Sequence, residues 1–545
     1  MSALDALRAA VEAAAGELRG ERPPPTAPPG VQRPKQAAHG DYATNAALLL
    51  APGLGEPPRA IAERLADLLQ AALGEALERV EVAGPGFLNL FLADAWYAEA
   101  LAGILTAGEG FGGAVVAAPE RVLVEFVSAN PTGPLTAASG RHAAYGDALV
   151  RLLRFAGHEV AAEYYVNDFG SQVLRLGESI RARARGEAVP EDGYRGEYVA
   201  ELAAAIHGAA DAEPAQLAQR GVELMIERIR GSLEAFGCHF DRFTSEAALH
   251  AGPAPTPVRR AEQALEDRGQ VYRSEGATWL RTTAFGDDKD RVLLRSGGEP
   301  TYFQSDIAYH QDKHARGFGL LIDVWGADHH GYVRRLQAAW AALGGDEEAL
   351  EIVIMQYVHL IDAGGRAGMS KRRGDFITLD ALVEEIGVDA ARYFLVGRSH
   401  ETEMDLDLDL ARSQSAENPV YYVQYAHARI ASIRRRAGEV GVARALRDAG
   451  KGTSVALHPA ERALVRKLLD LPGEVTDAAE RRAPHRIAAW ALECAQVFTA
   501  FYRDCQILGA EPASLEGFRL ALAVATQGSL ARTLAVLGVG APQEM

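Results

Sequence analysis

The sequence predicts a doubly wound, Rossmann-like α/β domain with a parallel sheet, preceded by a small α+β unit and followed by an all-helical bundle. Three stretches carry that prediction. Between Arg121 and Asp147, an apolar β-branched run, Val122 to Val127, meets the break Asn130-Pro-Thr-Gly-Pro134. Helix-spaced Ala143, Ala144, Ala148, Leu149, Leu152, Leu153 and Phe155 then lead to a closing Gly157. A second strand–helix–strand pattern runs from Gly319-Leu-Leu-Ile-Asp-Val-Trp325 through Val333 to Leu343 and into Glu351 to Ile361. From Asn418 onward periods near 3.6 dominate, as in a bundle.

In chain order, residues 1–112 form the first unit. A helix, the break Arg22-Pro-Pro-Pro-Thr-Ala-Pro-Pro-Gly30, helices at 41–50 and 57–78, and the strand-like Val80-Glu-Val-Ala83 and Phe87-Leu-Asn-Leu-Phe-Leu92 follow one another. Residues 113–395 form the α/β domain. Its second strand is read in Glu159 to Asp168, with a helix starting near Phe169-Gly-Ser-Gln172. Residues of about 186–278 read as a helical insertion. Thr278–Thr283 and Arg291–Arg295 flank a charged turn as a hairpin, and Tyr302-Phe-Gln-Ser-Asp306 follows. Residues 396–417 connect to the bundle at 418–545.

A chain of 545 residues with 48% hydrophobic content has room for about three domains. Its formal charge of −17 argues against a nucleic-acid partner until it is mapped. Residues 418–545 carry a net +4 and residues 1–417 the remaining −21, so a basic tail follows an acidic body. Cys238, Cys494 and Cys505 are unclustered and odd in number, which excludes a disulfide framework and a thiolate zinc site and fits a reducing cytoplasm. Met1 to Leu18 lacks a basic start and an unbroken apolar core. No run reads as long enough to cross a bilayer, so neither a targeting nor a membrane segment is expected.

Glu125-Phe-Val-Ser-Ala-Asn130-Pro-Thr-Gly-Pro-Leu135, Trp325-Gly-Ala-Asp-His-His-Gly-Tyr332 and Gly368-Met-Ser-Lys-Arg-Arg373 together resemble the bacterial class I arginyl-tRNA synthetases, essentially end to end. The resemblance implies ATP-dependent activation of L-arginine, with magnesium accompanying the pyrophosphate. The arginyl-adenylate is then transferred to the 3′-terminal ribose of tRNA(Arg). It implies an arginine site at Glu125, Ser128, Asn130, Tyr302 and Asp306, and ATP contacts at Gly133, Pro134, Gly140, Asp328, His329, His330, Met369 and Ser370. It also implies an N-terminal module, with His39-Gly-Asp-Tyr42 and Gly84-Pro-Gly-Phe87, that reaches the corner of the tRNA. A monomer is expected. The anticodon surface would use Tyr425, Arg429, Arg434, Arg435 and Arg436, in the one basic region of the chain.

The chain departs from the family at one place above all. Where the family reads His-x-Gly-His, this sequence reads Thr136-Ala-Ala-Ser139, and Gly368 replaces the first lysine of the later loop while Lys371 holds the second. Thr136 and Ser139 keep hydroxyl donors without positive charge. His142, one turn along from Ser139, is expected to supply a cation together with Lys371. Glu125 sits in an otherwise apolar strand, so a ligand guanidinium is the expected partner for its carboxylate. Adjacent His329 and His330 on an extended segment would face opposite ways with no third ligand at suitable spacing, so no metal site is expected. Two readings stand: a working ligase with a rearranged phosphate grip, or a synthetase-like tRNA-binding protein that has lost its chemistry.

Overall fold

The computed structural model describes residues 3–362, 365, 366, 377–453 and 455–545. Met369, Ser370 and Lys371 therefore lie outside the described residues. At the centre is a five-stranded, wholly parallel sheet of β1 (Arg121–Glu125), β2 (Glu159–Val166), β3 (Arg242–Ser245), β4 (Leu320–Gly326) and β5 (Leu350–Met355). The spatial order is β5-β4-β1-β2-β3, so the chain reverses direction across the sheet between β1 and β4. Ligands in such sheets bind in the crevice outside the carboxyl ends at that reversal.

Helix α1 (Ala137–Ala156) follows β1, and its close seat on the strand depends on a missing side chain. A Cβ on Gly146 would lie 2.1 Å from Cγ of Phe126. Gly157, at φ 116°, ends the helix as read from the sequence. Arg141, on the same helix, is 1% exposed and donates to the carbonyls of Gln356, Tyr357, Ser399 and Thr402 at 2.6–3.0 Å. Those bonds sit where the expected strand 351–361 divides. Its first part is β5, whereas Val358–Asp362 leaves for a separate small sheet beside Met404–Asp407.

The stretch of about 186–278 is less helical than expected. It contributes β3 to the central sheet, and Val271–Ser274 extends the hairpin Ala277–Leu280/Arg291–Leu294 to three strands. Tyr302 opens helix α2 (Tyr302–Ala315), which packs against the sheet. Asp328, His329 and His330 lie in a 3-10 turn, Ala327–Tyr332, and not on an extended segment.

The N-terminal unit holds a four-stranded antiparallel sheet, and Tyr42–Thr44 is one of its strands and not the start of a helix. Asp41 is committed to the fold, accepting from the Leu92 amide and from the Tyr97 hydroxyl at 2.6 Å. Arg466 of the bundle pairs with Asp41 and donates to Tyr97 at 2.7 Å, Arg462 meets Asp94 at 2.7 Å, and Arg33 meets Asp470 at 3.1 Å. The bundle grips the sheet domain as well, through Arg482 on Glu351 at 2.8 Å and Arg392 between Asp147 and the Leu537 carbonyl. Ala513–Leu537 corrects the sequence reading, being long and apolar enough to cross a membrane. Here 72% of its most apolar window is buried inside the protein, the pattern of a bundle's central helix.

Gly146→Ala should cost about 1–3 kcal/mol through overpacking against Phe126. Calorimetry would show a lowered melting transition, and Phe126→Leu in the same chain should restore part of it.

Candidate active site

A cavity of about 880 Å³ opens at the carboxyl ends of β1 and β4, where the strand order reverses. Of the residues expected there, Glu125, Ser128, Asn130, Ser139, His142, Tyr302, Asp306, Asp328 and His329 line it. Gly133, Pro134, Gly140 and His330 do not. A Cβ on Gly133 would meet the Tyr198 hydroxyl at 3.2 Å, and one on Gly140 would meet Leu379 at 2.8 Å, so these glycines serve packing of the insertion and of helix Leu379–Ile386.

Beneath the cavity, three carboxylates stand side by side on neighbouring strands. Glu163, Glu125 and Asp323 are register partners across β2, β1 and β4, and all are buried. Helix α2 lays one face over them with Asp306, Tyr309, His310 and Lys313, and Arg316 follows at its end. Lys313 Nζ reaches Glu125 at 2.5 Å and Asp323 at 2.7 Å; Arg316 donates to both oxygens of Glu163 at 2.6 and 3.1 Å. His310 bonds through both ring nitrogens, to Asp323 at 2.6 Å and to the Asp306 carbonyl at 2.8 Å. Burial opposes charge on Asp323, but Lys313 and His310 outweigh it and hold its carboxyl well below the usual range. On Glu125 burial wins, raising its carboxyl despite Lys313.

Glu125 is thus already partnered. One oxygen takes Lys313 and the other accepts the Ser128 hydroxyl at 2.7 Å, so its charge is answered within the fold and it still lines the cavity. The unpartnered carboxylate oxygen of the cavity lies on Glu246. Glu246 is 2% exposed, one of its oxygens and the nearby Tyr165 hydroxyl have no partner, and both residues line the cavity. Burial and then the Asp306 charge push the Glu246 carboxyl up to about 7. Burial likewise lifts Asp306 to about 6 against the bond from the Tyr332 hydroxyl at 2.5 Å. A buried and a half-buried acid raised in this way form a receptor for a cation with several donors.

The start of α1 holds two further corrections. Thr136 and Ser139 form a reciprocal capping box on α1, with the Ser139 amide on the Thr136 hydroxyl at 3.2 Å and the Thr136 amide on Ser139 at 3.4 Å. Their oxygens serve the helix start. Burial, with Arg141 beside it, pushes the His142 imidazole down to about 4, so it is neutral near pH 7 and is not the substitute cation. Among the described residues lining the cavity none is lysine or arginine.

Tyr302 stands at the mouth, 49% exposed, with its hydroxyl 3.2 Å from Gln172. Sequence reasoning missed Lys313, His310, Tyr309 and Arg316, although their spacing from Asp306 marks one helix face. It also missed Glu246, which no motif announces. In the bundle, Arg429 is held between the rings of Tyr425 at 4.6 Å and Tyr502 at 4.8 Å. Arg434 bonds Gln527 and Arg435 the Gln543 carbonyl, while Arg436 is exposed.

Two family models match the chain: "Arginyl tRNA synthetase N terminal domain" over residues 3–92 and "DALR anticodon binding domain" over residues 423–545. The arginine–tRNA ligase of Frankia alni is 49% identical over 529 residues, covering 94% of each chain. That of Carboxydothermus hydrogenoformans is 43% identical over 530 residues, again 94% of each. Among solved structures, Thermus thermophilus arginyl-tRNA synthetase superposes with a TM-score of 0.74 at 25% identity, covering 99% of this chain and all of its own.

Because Glu246 and Asp306 must be ionised to hold a cation, a guanidinium ligand should bind progressively more weakly as pH falls through about 7 and then 6. Binding below neutrality should release protons. Calorimetry with methylguanidinium in two buffers of different ionisation enthalpy reads both effects.

Proposed function

Since the chain belongs to the arginyl-tRNA synthetases, the arginine–tRNA ligases, we propose that the cavity at the β1/β4 switch joins arginine, ATP and the acceptor end of tRNA(Arg). The observation that carries this reading is the Glu246–Asp306 pair, a buried and a half-buried acid in the cavity lining, with one Glu246 carboxylate oxygen unpartnered. A guanidinium presents five donors in a planar fork and suits such a pair, whereas the point charge of a lysine ammonium would leave acceptors unanswered. Asp306, Glu246 and the Tyr332 hydroxyl hold the guanidinium. Asn130 faces the α-amino group, Ser128 being held on Glu125 and the Tyr165 amide, and Tyr302 stands at the entrance for the tRNA terminus.

ATP lies along Ala138, Ser139, His142, Gly326, Asp328 and His329, with its ribose towards Asp328. The arginine carboxylate attacks the α-phosphorus in line, the bond to pyrophosphate breaks, and the adenylate is then displaced by a terminal ribose hydroxyl of the tRNA. No protein nucleophile takes part; the residues position and stabilise. Neutral His142 contributes a hydrogen bond and no charge. Magnesium, carried in with the triphosphate, would shield the departing charge of pyrophosphate. Lys371 supplies the protein's own cation. The exposed arginines and stacked tyrosines of 418–545 engage the anticodon end. The three cysteines are buried and free, which suits a reducing cytoplasm, and the ligase is read as a monomer.

The ligase reading is supported over the binding-protein alternative by identity at 49% to a named ligase and by the intact acidic pocket. Aminoacylation of tRNA(Arg) with labelled arginine tests it, and no product would restore the alternative. Glu246→Gln should raise the arginine KM roughly tenfold to a hundredfold, the worth of a charge-assisted hydrogen bond of about 1.5–3 kcal/mol, with the ATP KM nearly unchanged. Lys371→Ala should slow single-turnover adenylate formation by about two powers of ten while sparing tRNA affinity. Pyrophosphate exchange should need bound tRNA, and robust exchange after nuclease treatment would count against that dependence.

A further inference from the structure

Lys313 is the one fully buried lysine in the sheet's acid row, and it does not line the cavity. Its ammonium is held between Glu125 on β1 and Asp323 on β4, with the Tyr309 ring 4.3 Å away. What it holds continues upward. The far oxygen of Glu125 accepts the Ser128 hydroxyl at 2.7 Å, and the same Ser128 oxygen accepts the Tyr165 amide at 3.1 Å from β2.

Ser128 is half of an unusual pair. Val127 has φ 68° and Ser128 φ 37°, so two consecutive residues with side chains sit in the left-handed region, one of them β-branched. Such backbone persists only where its surroundings over-determine it, and it concentrates at sites that need a group aimed. Around this turn the supports are specific: the Ser128 amide donates to the Phe126 carbonyl at 3.0 Å, and the Tyr164 hydroxyl donates to the Ala129 carbonyl at 2.8 Å. The turn takes the chain from the buried end of β1 out to Asn130, which is exposed in the cavity.

We infer that Lys313 is a positioning residue for the amino-acid site: acting from beneath the sheet through Glu125 and Ser128, it fixes the left-handed Val127–Ser128 turn that delivers Asn130 to the substrate. The inference rests on the reading of the cavity as the arginine and ATP site. It gives Glu125 an office besides any contact with the guanidinium, since each of its oxygens carries one bond of the relay. Lys313 touches no substrate, and its effect belongs to arginine and not to ATP.

The test uses the full-length enzyme with saturating tRNA(Arg). Steady-state aminoacylation is measured for wild type, Lys313→Met, Ser128→Ala and the double variant, with thermal melting of each. Wild type must first show arginine-dependent charging; without it the proposed function fails, and not the relay. Ser128→Ala should raise the arginine KM about tenfold while still melting in one cooperative transition well above the assay temperature, with the ATP KM within twofold. Lys313→Met should do the same or more, and the double variant should be no worse than the poorer single, because both cut one linkage. Should Lys313→Met alone not fold, Lys313→Met/Glu125→Gln replaces it, since there no Glu125 charge is left unpaired and Asp323 keeps His310; it too should show the raised arginine KM. Multiplicative effects in the double variant would overturn the inference. So would a wild-type arginine KM in Ser128→Ala or in Lys313→Met/Glu125→Gln, or equal losses for arginine and ATP.

Discussion

Three carboxylates buried side by side on neighbouring parallel strands are the constraint the rest of this structure answers. Sheets seldom tolerate such a row, because each acid loses its hydration and repels its neighbour. Here the permanent cations Lys313 and Arg316 lie across it from one helix face, His310 bonds its Asp323 end, and hydroxyls of Ser128, Thr244 and Tyr309 fill remaining acceptor positions. Against the three carboxylates stand Lys313, Arg316 and the His310 ring, whose two nitrogens both meet acceptor oxygens. Asp306 and Glu246 then add acids at the cavity wall, where no described residue of the lining is lysine or arginine. On the function proposed above, the cationic amino acid completes that wall.

The altered phosphate motif looks different once α1 is seen. Thr136 and Ser139 are not remnants of a pair of histidines; they are a capping box, and that box is what starts the helix squarely at the cavity edge. Amide groups and a helix dipole favour phosphate there without any side-chain charge. His142, neutral in its buried setting, fits the same pattern of positioning by hydrogen bonds. Positive charge is correspondingly scarce among the described residues of the cavity.

Much of the fold was readable because it rests on local chemistry. The apolar run of β1, the Pro/Gly break, the helix period of α1 and its terminal Gly157 are each fixed within a dozen residues, and the structure follows them. What escaped depends on contacts between distant segments. The strand expected at 351–361 divides because Arg141, some two hundred residues earlier, captures the carbonyls at the break. β3 was lost inside a helical stretch because four residues give too short a pattern, and only pairing with β2 makes it a strand. In the site, Asp306 and Glu125 were visible by motif. The true partner of Glu125 was not, since nothing in a sequence says which lysine folds back under which strand. Glu246 follows a short edge strand with no neighbouring signature, so burial alone reveals it.

The clasp between the chain's two outer units has its own bearing on how a long ligand would be gripped. Arg466 on Asp41 and Tyr97, Arg462 on Asp94 and Arg33 on Asp470 sew the first domain to the bundle, while Arg482 and Arg392 rivet the bundle to the sheet. The molecule is then a caliper with a set opening. An RNA engaged at the bundle meets a jaw of fixed span, and a stem shortened or lengthened by one base pair would turn its end away from the cavity while every contact at the far end stayed intact.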